Sequence, residues 1–310
     1  MQFNDRQLGR EISRAERAHD ESRGLNEPLW TLLPTTSHII GITGPPGAGK
    51  STLTDGLITH ARRAGLKTGV LAIDPSSPFT GGAVLGDRIR MSRHSADPGV
   101  FIRSMGSRTS LGGVAGATRS AVRLLADNAV DVVILETVGV GQAELDIMHV
   151  ADTVVVVVVP GLGDTVQMSK AGIMEIGDIF VVNQADRIEA NKTRRDLEQA
   201  LSLGEIAKRR PIVTMTTATT GDGLEGLWDH LRRHFEYLVQ SGKLAERRQR
   251  GQRQEISDEV SKMISVNLRD WMQSAAFDAL LKNKEQSDWS VDDLTANAVD
   301  QFLSEFGPKQ

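Results

Sequence analysis

The eight residues from Gly44 to Ser51 read Gly-Pro-Pro-Gly-Ala-Gly-Lys-Ser and match the phosphate-binding loop pattern G-x-x-x-x-G-K-[ST] at every fixed position. Glycines in such a loop let successive backbone N–H groups turn towards a phosphate chain, and the following helix adds partial positive charge at its N-terminus. In this chemistry Lys50 reaches the terminal phosphates and the Ser51 hydroxyl binds Mg²⁺. The predicted phosphate contacts are Gly44, Pro45, Pro46, Gly47, Ala48, Gly49, Lys50, Ser51 and Thr52.

The segments on either side of the loop are those that this chemistry needs. His38–Thr43 is a short apolar run typical of a buried strand, and Leu53, Leu57 and Ile58 follow at helical spacing. A glycine-rich turn that binds nothing is the alternative interpretation. Strand, glycine loop and helix in this order are the context in which the motif binds phosphate, so we predict a nucleoside triphosphate site.

Recognition of the base is predicted for Asn183-Gln184-Ala185-Asp186, which closes another apolar strand. A guanine site needs an Asp whose two oxygens accept from the N1 and N2 donors of the base, and an Asn that braces the phosphate loop. Asn183 and Asp186 have the spacing of N-K-x-D, and Gln184 stands where the Lys is usual. Gln can lie flat on the base but carries no charge, so we expect guanine preference with weaker binding. A turn that only caps the strand is the alternative.

Thr217-Ala218-Thr219 follows a further apolar segment and precedes Gly221-Asp222-Gly223. At this place in GTP-binding proteins a backbone N–H reads the guanine O6, so Thr217, Ala218 and Thr219 are candidate nucleotide contacts. A plain strand-to-helix turn fits the same residues equally well.

Acidic residues near strand ends are the candidate magnesium ligands. Glu136 ends the apolar run Asp131–Glu136, as the acid of a Walker B strand does, and would reach Mg²⁺ through water. Asp74 ends another strand, and Asp87 follows a loop rich in Ser, Gly and Pro. Because Mg²⁺ takes hard oxygen ligands and often only one or two from protein, we predict a metal site of Ser51, Asp74, Asp87 and Glu136. A strand-end acid and solvated loop acids are the alternatives.

Fewer of the residues that GTP hydrolysis needs can be identified than of the residues that bind the nucleotide. Gly139 could donate its N–H to the γ-phosphate, but no Gln directly follows it, and Gln142 could position water only after rearrangement. We therefore expect slow intrinsic hydrolysis that a partner accelerates, since a supplied cation or an ordered loop is worth about 10³–10⁵ in rate. Arg88 and Lys170 are cations that this chain could supply. The predicted catalytic residues are Lys50, Asp87, Arg88, Glu136 and Lys170.

Composition narrows the class of protein. The chain has 310 residues, no Cys and a formal net charge of −4. Without Cys there are no disulfides and no thiolate metal site, which suits a cytoplasmic protein. The negative charge argues against general nucleic-acid binding. The first residues lack the apolar core of a signal peptide, and the longest apolar run, Val154–Val159, is too short for a bilayer. We expect neither a nucleic-acid nor a membrane partner.

The elements that must position these residues form an α/β pattern. Apolar strands alternate with helices from about residue 38 to 239, which predicts a doubly wound, mostly parallel sheet. We predict an N-terminal helical extension at 1–34, a P-loop GTPase domain at 35–240 and a helical arm at 241–310. In the extension, Leu8, Ile12 and Ala15 share one helical face.

The C-terminal arm carries apolar residues at helical spacing from Ile256 to Leu281, after a run of basic residues. Such a face needs a partner surface, and we predict a homodimer through it. The alternatives are that the arm folds back onto its own domain or that the basic residues, diluted by Glu246 and Glu255, bind nucleic acid.

These residues together resemble the MeaB-type GTPase chaperones, also described as ArgK-like or methylmalonic-aciduria-type-A-like proteins. Besides the phosphate loop, the resemblance rests on Asp74-Pro75-Ser76-Ser77, Gly86-Asp87-Arg88-Ile89-Arg90-Met91, Glu136-Thr137-Val138-Gly139-Val140-Gly141-Gln142 and the stretch from Pro160 to Ile176. It extends from about Asp5 to Trp271. The implied fold is a SIMIBI-class P-loop domain with an N-terminal helical extension and a C-terminal dimerisation arm.

The activity that this resemblance implies is hydrolysis of GTP to GDP, coupled to loading and protecting an adenosylcobalamin-dependent acyl-CoA mutase. The implied cofactors are GTP or GDP and Mg²⁺, with adenosylcobalamin only through the partner mutase. In the family the 160–176 stretch is a switch loop that senses the mutase, and it would carry Asp164 and Lys170 towards the nucleotide or the partner. The clear departure from the family pattern is Gln184, which stands where the family usually has Lys. Two alternatives are a GTPase metallochaperone of another metalloenzyme, which needs Cys/His ligands, and a P-loop small-molecule kinase, which needs an acceptor pocket.

Overall fold

A computed structural model of the protein describes residues 5–20, 33–75, 91–107, 113–137, 146–161, 173–203, 211–284 and 290–306. The strands in these ranges are β1 (His38–Thr43), β2 (Thr68–Pro75), β3 (Val100–Ser107), β4 (Val132–Thr137), β5 (Thr153–Val158), β6 (Ile179–Val182) and β7 (Ile212–Met215). The α-helices are α1 (Asp5–Asp20), α2 (Lys50–Arg63), α3 (Gly113–Asp127), α4 (Ile173–Ile176), α5 (Ala190–Leu203), α6 (Leu224–Gln240), α7 (Lys243–Met272), α8 (Ala275–Lys284) and α9 (Val291–Phe306).

The strands form one sheet in the order β3-β2-β4-β1-β5-β6-β7, and every neighbouring pair is parallel. The chain builds one half of the sheet with β2 to β4 and the other half with β5 to β7. Ligands of such sheets bind at the carboxyl ends of the strands, at the point where the direction of winding reverses. The predicted doubly wound architecture is confirmed, and its reversal lies beside β1.

The central strands bury side chains on both faces of the sheet. Ile39 of β1 joins a cluster with residues of α1, α3 and α5, whereas Ile40 joins a second cluster with residues of α2 and α6. All six residues of β5 are buried. A strand that is covered on both faces reads as a continuous apolar run, which is why the valine-rich segment of β5 shows no alternation.

The N-terminal helix α1 packs on α3 beside β3. Leu8, Ile12 and Ala15 are 2%, 0% and 1% exposed. Arg103 of β3 donates a hydrogen bond of 2.9 Å to the carbonyl of Gly9 and pairs with Glu16. The predicted amphipathic face is therefore confirmed, and the surface that covers it is the outer layer of the sheet domain.

Two aspartates at the amino ends of β5 and β6 hold the start of α7. Arg248 donates to both carboxylate oxygens of Asp152, at 2.9 and 2.8 Å, and Arg247 to both oxygens of Asp178, at 2.6 and 2.9 Å. Asp152 also accepts from the backbone N–H of Ile39. Burial raises the pKa of the Asp152 carboxyl, and the Arg248 pairing opposes that shift. The edge opposite the phosphate loop thus fixes the first turns of α7.

The chain divides into two compact units, Met1–Gln254 and Glu255–Gln310. In the second unit Trp271 is 2% exposed, and its ring lies edge-on to Phe277 and Phe302 at 5.2 and 5.9 Å between centroids. The predicted three-part division, with boundaries after residues 34 and 240, stays a prediction beside this two-unit division.

Within the described ranges, no helix has both the length and the apolar character to cross a membrane.

Candidate nucleotide-binding site

The sequence-predicted nucleotide and metal residues that the structure describes lie at or after the carboxyl ends of strands. The phosphate loop follows β1, Glu136 is the penultimate residue of β4, Asn183 follows β6, and Thr217 follows β7. Because the strands are parallel, these ends lie along one edge of the sheet. Residues as far apart in the chain as Ala48 and Asn183, which are separated by 135 positions, are thereby brought to one place.

The phosphate loop has the backbone that its glycines permit. Gly44 has φ 139°, and a Cβ there would lie 2.1 Å from the carbonyl oxygen of Val157 in β5. Gly49, which precedes α2, has φ 84°, and a Cβ there would lie 2.4 Å from Nδ2 of Asn183. Side chains at these positions would be both strained and obstructed, so the loop depends on glycine twice over.

Lys50, the first residue of α2, is held within the loop. Its Nζ donates to the carbonyl oxygens of Gly44 at 2.7 Å and Pro45 at 3.0 Å. The side chain of Lys50 is buried. Its ammonium group therefore lies over the loop that would cradle the phosphates, where a point charge can bind their terminal oxygens.

Two hydroxyls of α2 bind the carboxylate of Glu136. Ser51 Oγ donates to Oε1 at 2.5 Å, and Thr54 Oγ1 donates to Oε2 at 2.9 Å. Glu136 is 4% exposed and Thr54 is 0% exposed. A hydroxyl and a carboxylate that converge at the end of a phosphate loop are hard oxygen ligands, and this donor set fits Mg²⁺.

Asn183 joins the phosphate loop to the loop after β7. Its Nδ2 donates to the carbonyl of Ala48 at 2.8 Å, and its Oδ1 accepts from Thr216 Oγ1 at 3.0 Å and from the N–H of Ala218 at 3.1 Å. The side chain is buried. One amide thus fixes the distance between the predicted phosphate and base loops, which is the bracing expected of the Asn in N-K-x-D.

Gln184 and Asp186 extend from this brace towards the surface. Gln184 has φ 56°, and its Nε2 lies 3.5 Å from the carbonyl of Gly47, while its Oε1 is buried without a hydrogen-bond partner among the described residues. Asp186 is exposed. The amide of Gln184 therefore lies against the phosphate loop, and the carboxylate of Asp186 is open to a ligand.

The remaining predicted contacts divide between described and undescribed residues. Thr217 pairs through its N–H with the carbonyl of Asp222, which closes the turn that carries Ala218 and Thr219. Thr52 is exposed at the start of α2. The backbone of Asp74 lies at the end of β2, but its side chain is outside the described part. Six further residues named from the sequence lie outside the described ranges altogether: Asp87, Arg88, Gly139, Gln142, Asp164 and Lys170.

The sequence of the chain matches the family model described as Methylmalonyl Co-A mutase-associated GTPase MeaB over residues 8–273. The chain belongs to the MeaB family. A putative GTPase of Pyrococcus abyssi is 48% identical to it over 310 residues, which cover 98% of this chain and 94% of that protein. The mitochondrial methylmalonic aciduria type A homolog of Mus musculus is 36% identical over 215 residues, covering 68% of this chain and 52% of that protein.

The fold of this MeaB-family chain also resembles a solved structure. The crystal structure of an LAO/AO transport system kinase superposes with a TM-score of 0.64 and 23% identity, covering 99% of each chain. The family, the P-loop fold and the class of GTPase were all predicted from the sequence, and these comparisons confirm them at that level.

Among the described residues, no group of three or more His, Asp or Glu side chains could hold a metal ion.

Two buried threonines of this MeaB-family chain hold residues of the site in place but were not predicted. Thr54 binds Glu136, and Thr216 binds Asn183. Thr54 stands three residues after Ser51, a spacing that places both side chains on one face of α2, and that was the available signal. Thr216 directly follows β7, and nothing in the local sequence marks its contact with a residue 33 positions earlier.

Proposed function

We propose that this protein binds GTP with Mg²⁺ at the carboxyl edge of its sheet, hydrolyses it to GDP, and uses this cycle to service an adenosylcobalamin-dependent acyl-CoA mutase. The observation that carries the nucleotide assignment is the Asn183 side chain, which bonds both Ala48 of the phosphate loop and Ala218 after β7. A phosphate loop alone fits any nucleotide. A brace between that loop and the segment carrying Asp186 supports guanine.

The chain's own residues divide the work as follows. Backbone N–H groups of the 44–51 loop bind the phosphate oxygens, and Lys50 neutralises charge that develops on the terminal phosphate. Ser51 and Glu136 would hold Mg²⁺, which when bound neutralises charge on the β- and γ-phosphates. Asp74, Asp87, Arg88, Gly139 and Lys170 keep their predicted roles as part of this proposal.

Guanine specificity is tested by replacing Asp186. In Asp186→Ala the acceptor for the guanine N1 and N2 donors is gone, and hydrogen bonds to a charged group contribute about 1.5–3 kcal/mol, or roughly ten- to a hundredfold in affinity. Calorimetry should show this loss for GTP and little binding of ATP to either protein. Glu189→Ala removes a nearby exposed carboxylate and serves as the matched control. Equal affinity of the wild-type protein for ATP and GTP would refute the assignment.

The effect of a neutral side chain at position 184 on GTP affinity is tested by replacing Gln184 with Lys. Lys at this position would add a charge near the phosphate loop, where the Gln184 amide now lies 3.5 Å from the Gly47 carbonyl. We expect Gln184→Lys to bind GTP more tightly, with a gain that shrinks as salt is raised because screening weakens the added attraction. Unchanged affinity at low salt would mean that Gln184 already supplies what Lys supplies elsewhere.

The mutase is the proposed partner because the family model describes its members as associated with methylmalonyl-CoA mutase. Addition of a purified acyl-CoA mutase, as apoenzyme or loaded with adenosylcobalamin, should accelerate GTP hydrolysis in a saturable way. The Lys50→Ala variant should stay inactive with and without the mutase. A hydrolysis rate that does not respond to the mutase while GTP binding is intact would refute the partner and leave the GTPase assignment in place.

A homodimer is proposed on the exposed apolar face of α7. In the second unit Ile256, Val260, Met263, Ile264, Leu268 and Met272 are between 39% and 60% exposed in the single chain. Light scattering should report twice 33.7 kDa for the wild-type protein. Met263→Glu should shift it towards monomer, whereas Arg269→Glu, on the other side of the helix, should not. A wild-type monomer at micromolar concentration would contradict the proposal.

A further inference from the structure

The carboxylate of Glu136 is held at both of its oxygens by hydroxyls from successive turns of α2. Ser51 donates to Oε1 and Thr54 donates to Oε2. The two donors differ in their access to a ligand. Ser51 is the last residue of the phosphate loop motif. Thr54 lies about one helical turn further along α2, and its side chain is completely buried. Only one of the two hydroxyls can therefore reach a bound nucleotide or cation.

Two bonds to the carboxylate do more than one bond could. The terminal torsion of Glu is broad and has no strong preference, so a bond at one oxygen restrains the carboxylate plane less than bonds at both oxygens do. The bond from Thr54 to Oε2 adds this restraint at the second oxygen. In the proposed site the Ser51 oxygen also faces Mg²⁺, so its position follows the cation, whereas the Thr54 bond does not depend on any ligand.

We propose that Thr54 is a positioning residue for magnesium binding: its hydroxyl fixes the plane of the Glu136 carboxylate and so orients Oε1 towards Ser51 and the cation. This inference rests on the proposed GTP and Mg²⁺ site. Thr54 touches neither nucleotide nor metal, and its effect passes through Glu136. Loss of a partner that orients a metal-binding group lowers metal affinity about ten- to a hundredfold.

The helix offers a matched comparison in Thr59. Its Oγ1 donates to the carbonyl of Asp55, four residues earlier in α2. The hydroxyl of Thr54 is instead directed away from the helix, to a strand residue 82 positions later. Thr→Val at either place exchanges a hydroxyl for a methyl group of similar size, but only at position 54 does it remove a bond to the Glu136 carboxylate.

The experiment measures binding of fluorescent GDP to the full-length protein over a range of Mg²⁺ concentrations and in EDTA. For Thr54→Val we expect the Mg²⁺ concentration of half-maximal effect to rise about ten- to a hundredfold, with GDP affinity in EDTA unchanged. Thr54→Ser keeps the hydroxyl and should give the wild-type dependence of GDP binding on Mg²⁺. Thr59→Val should also give the wild-type dependence. Thr54→Ala removes the same bond without adding volume and is read in the same way if the Val variant folds poorly.

The possible outcomes distinguish failure of the proposed GTP and Mg²⁺ site from failure of the proposed role of Thr54. If the wild-type protein binds no GDP, the proposed function fails and the inference fails with it. If the wild-type protein binds GDP in a Mg²⁺-dependent way and Thr54→Val gives the same curve, only the role of Thr54 is refuted. An equal loss of GDP binding with Mg²⁺ and in EDTA would mean that Thr54 merely supports the fold, which would also overturn the inference.

Discussion

Acidification should destabilise this protein through one buried imidazole, that of His38 at the start of β1. Its Nε2 lies 2.8 Å from Thr153 Oγ1, and its ring stacks on Phe235 with 4.3 Å between centroids. Burial, followed by the charges of His234 and Arg248, lowers the pKa of His38 from its ordinary 6.5 to about 3. The folded state therefore rejects a proton that the unfolded chain accepts.

The sign and size of the effect follow from this difference. A pKa that is lower in the folded state contributes stability above pH 6.5, and that stability is lost as the pH falls towards 3. Each unit in this window is worth about 1.4 kcal/mol. Between pH 8 and pH 5 the free energy of unfolding should thus fall by about 2 kcal/mol because of His38 alone, since only the part below pH 6.5 counts.

The assay is urea unfolding at pH 8 and pH 5 for the wild-type protein and for His38→Gln, whose amide does not titrate. The Gln variant should lose about 2 kcal/mol less than the wild-type protein between the two pH values. Titrating groups that do not interact with His38 contribute equally to both proteins and cancel in this comparison. The same pH dependence in His38→Gln and wild type would refute the reasoning.

Three further predictions concern single contacts. Arg248→Met leaves Asp152, which is 1% exposed, without its bidentate partner and should cost about 3–5 kcal/mol in urea unfolding; adding Asp152→Asn should recover part of this, and additive losses would contradict the pairing. Thr216→Val removes a donor to Asn183 worth about 0.5–1.5 kcal/mol, so calorimetry should show GTP bound roughly two- to tenfold more weakly. Gly44→Ala places a Cβ 2.1 Å from a β5 carbonyl and should abolish GTP binding; wild-type affinity would exclude this loop geometry.

The central strands could be predicted from the sequence because β1, β4, β5 and β6 are buried along their whole length. The predicted run His38–Thr43 is β1 without change, and the apolar run Val154–Val159 overlaps β5, which begins and ends one residue earlier. The order of strands in the sheet was not predicted beyond its winding, because pairing depends on contacts between segments far apart in the chain.

The candidate site was predictable where its chemistry is local. Gly44–Ser51 and Asn183–Asp186 are motifs, because each must present several groups to one ligand from a single turn. The bond from Asn183 to Ala48 follows from the family pattern. The bonds from Thr54 and Thr216 do not, because a buried threonine carries no periodicity and its partner is chosen by the packing of the sheet.

The basic run at the start of α7 shows the limit of reading charge from sequence. A series of arginines after a GTPase domain fits a solvated face, and nucleic-acid binding was one of the alternatives open to it. In the structure Arg247 and Arg248 instead bind Asp178 and Asp152, whose positions in the sequence are 69 and 96 residues earlier. Each aspartate directly precedes a strand whose other end belongs to the nucleotide site. Arg247 and Arg248 are therefore part of the sheet's own amino edge, and the charges of these two residues are matched within the chain.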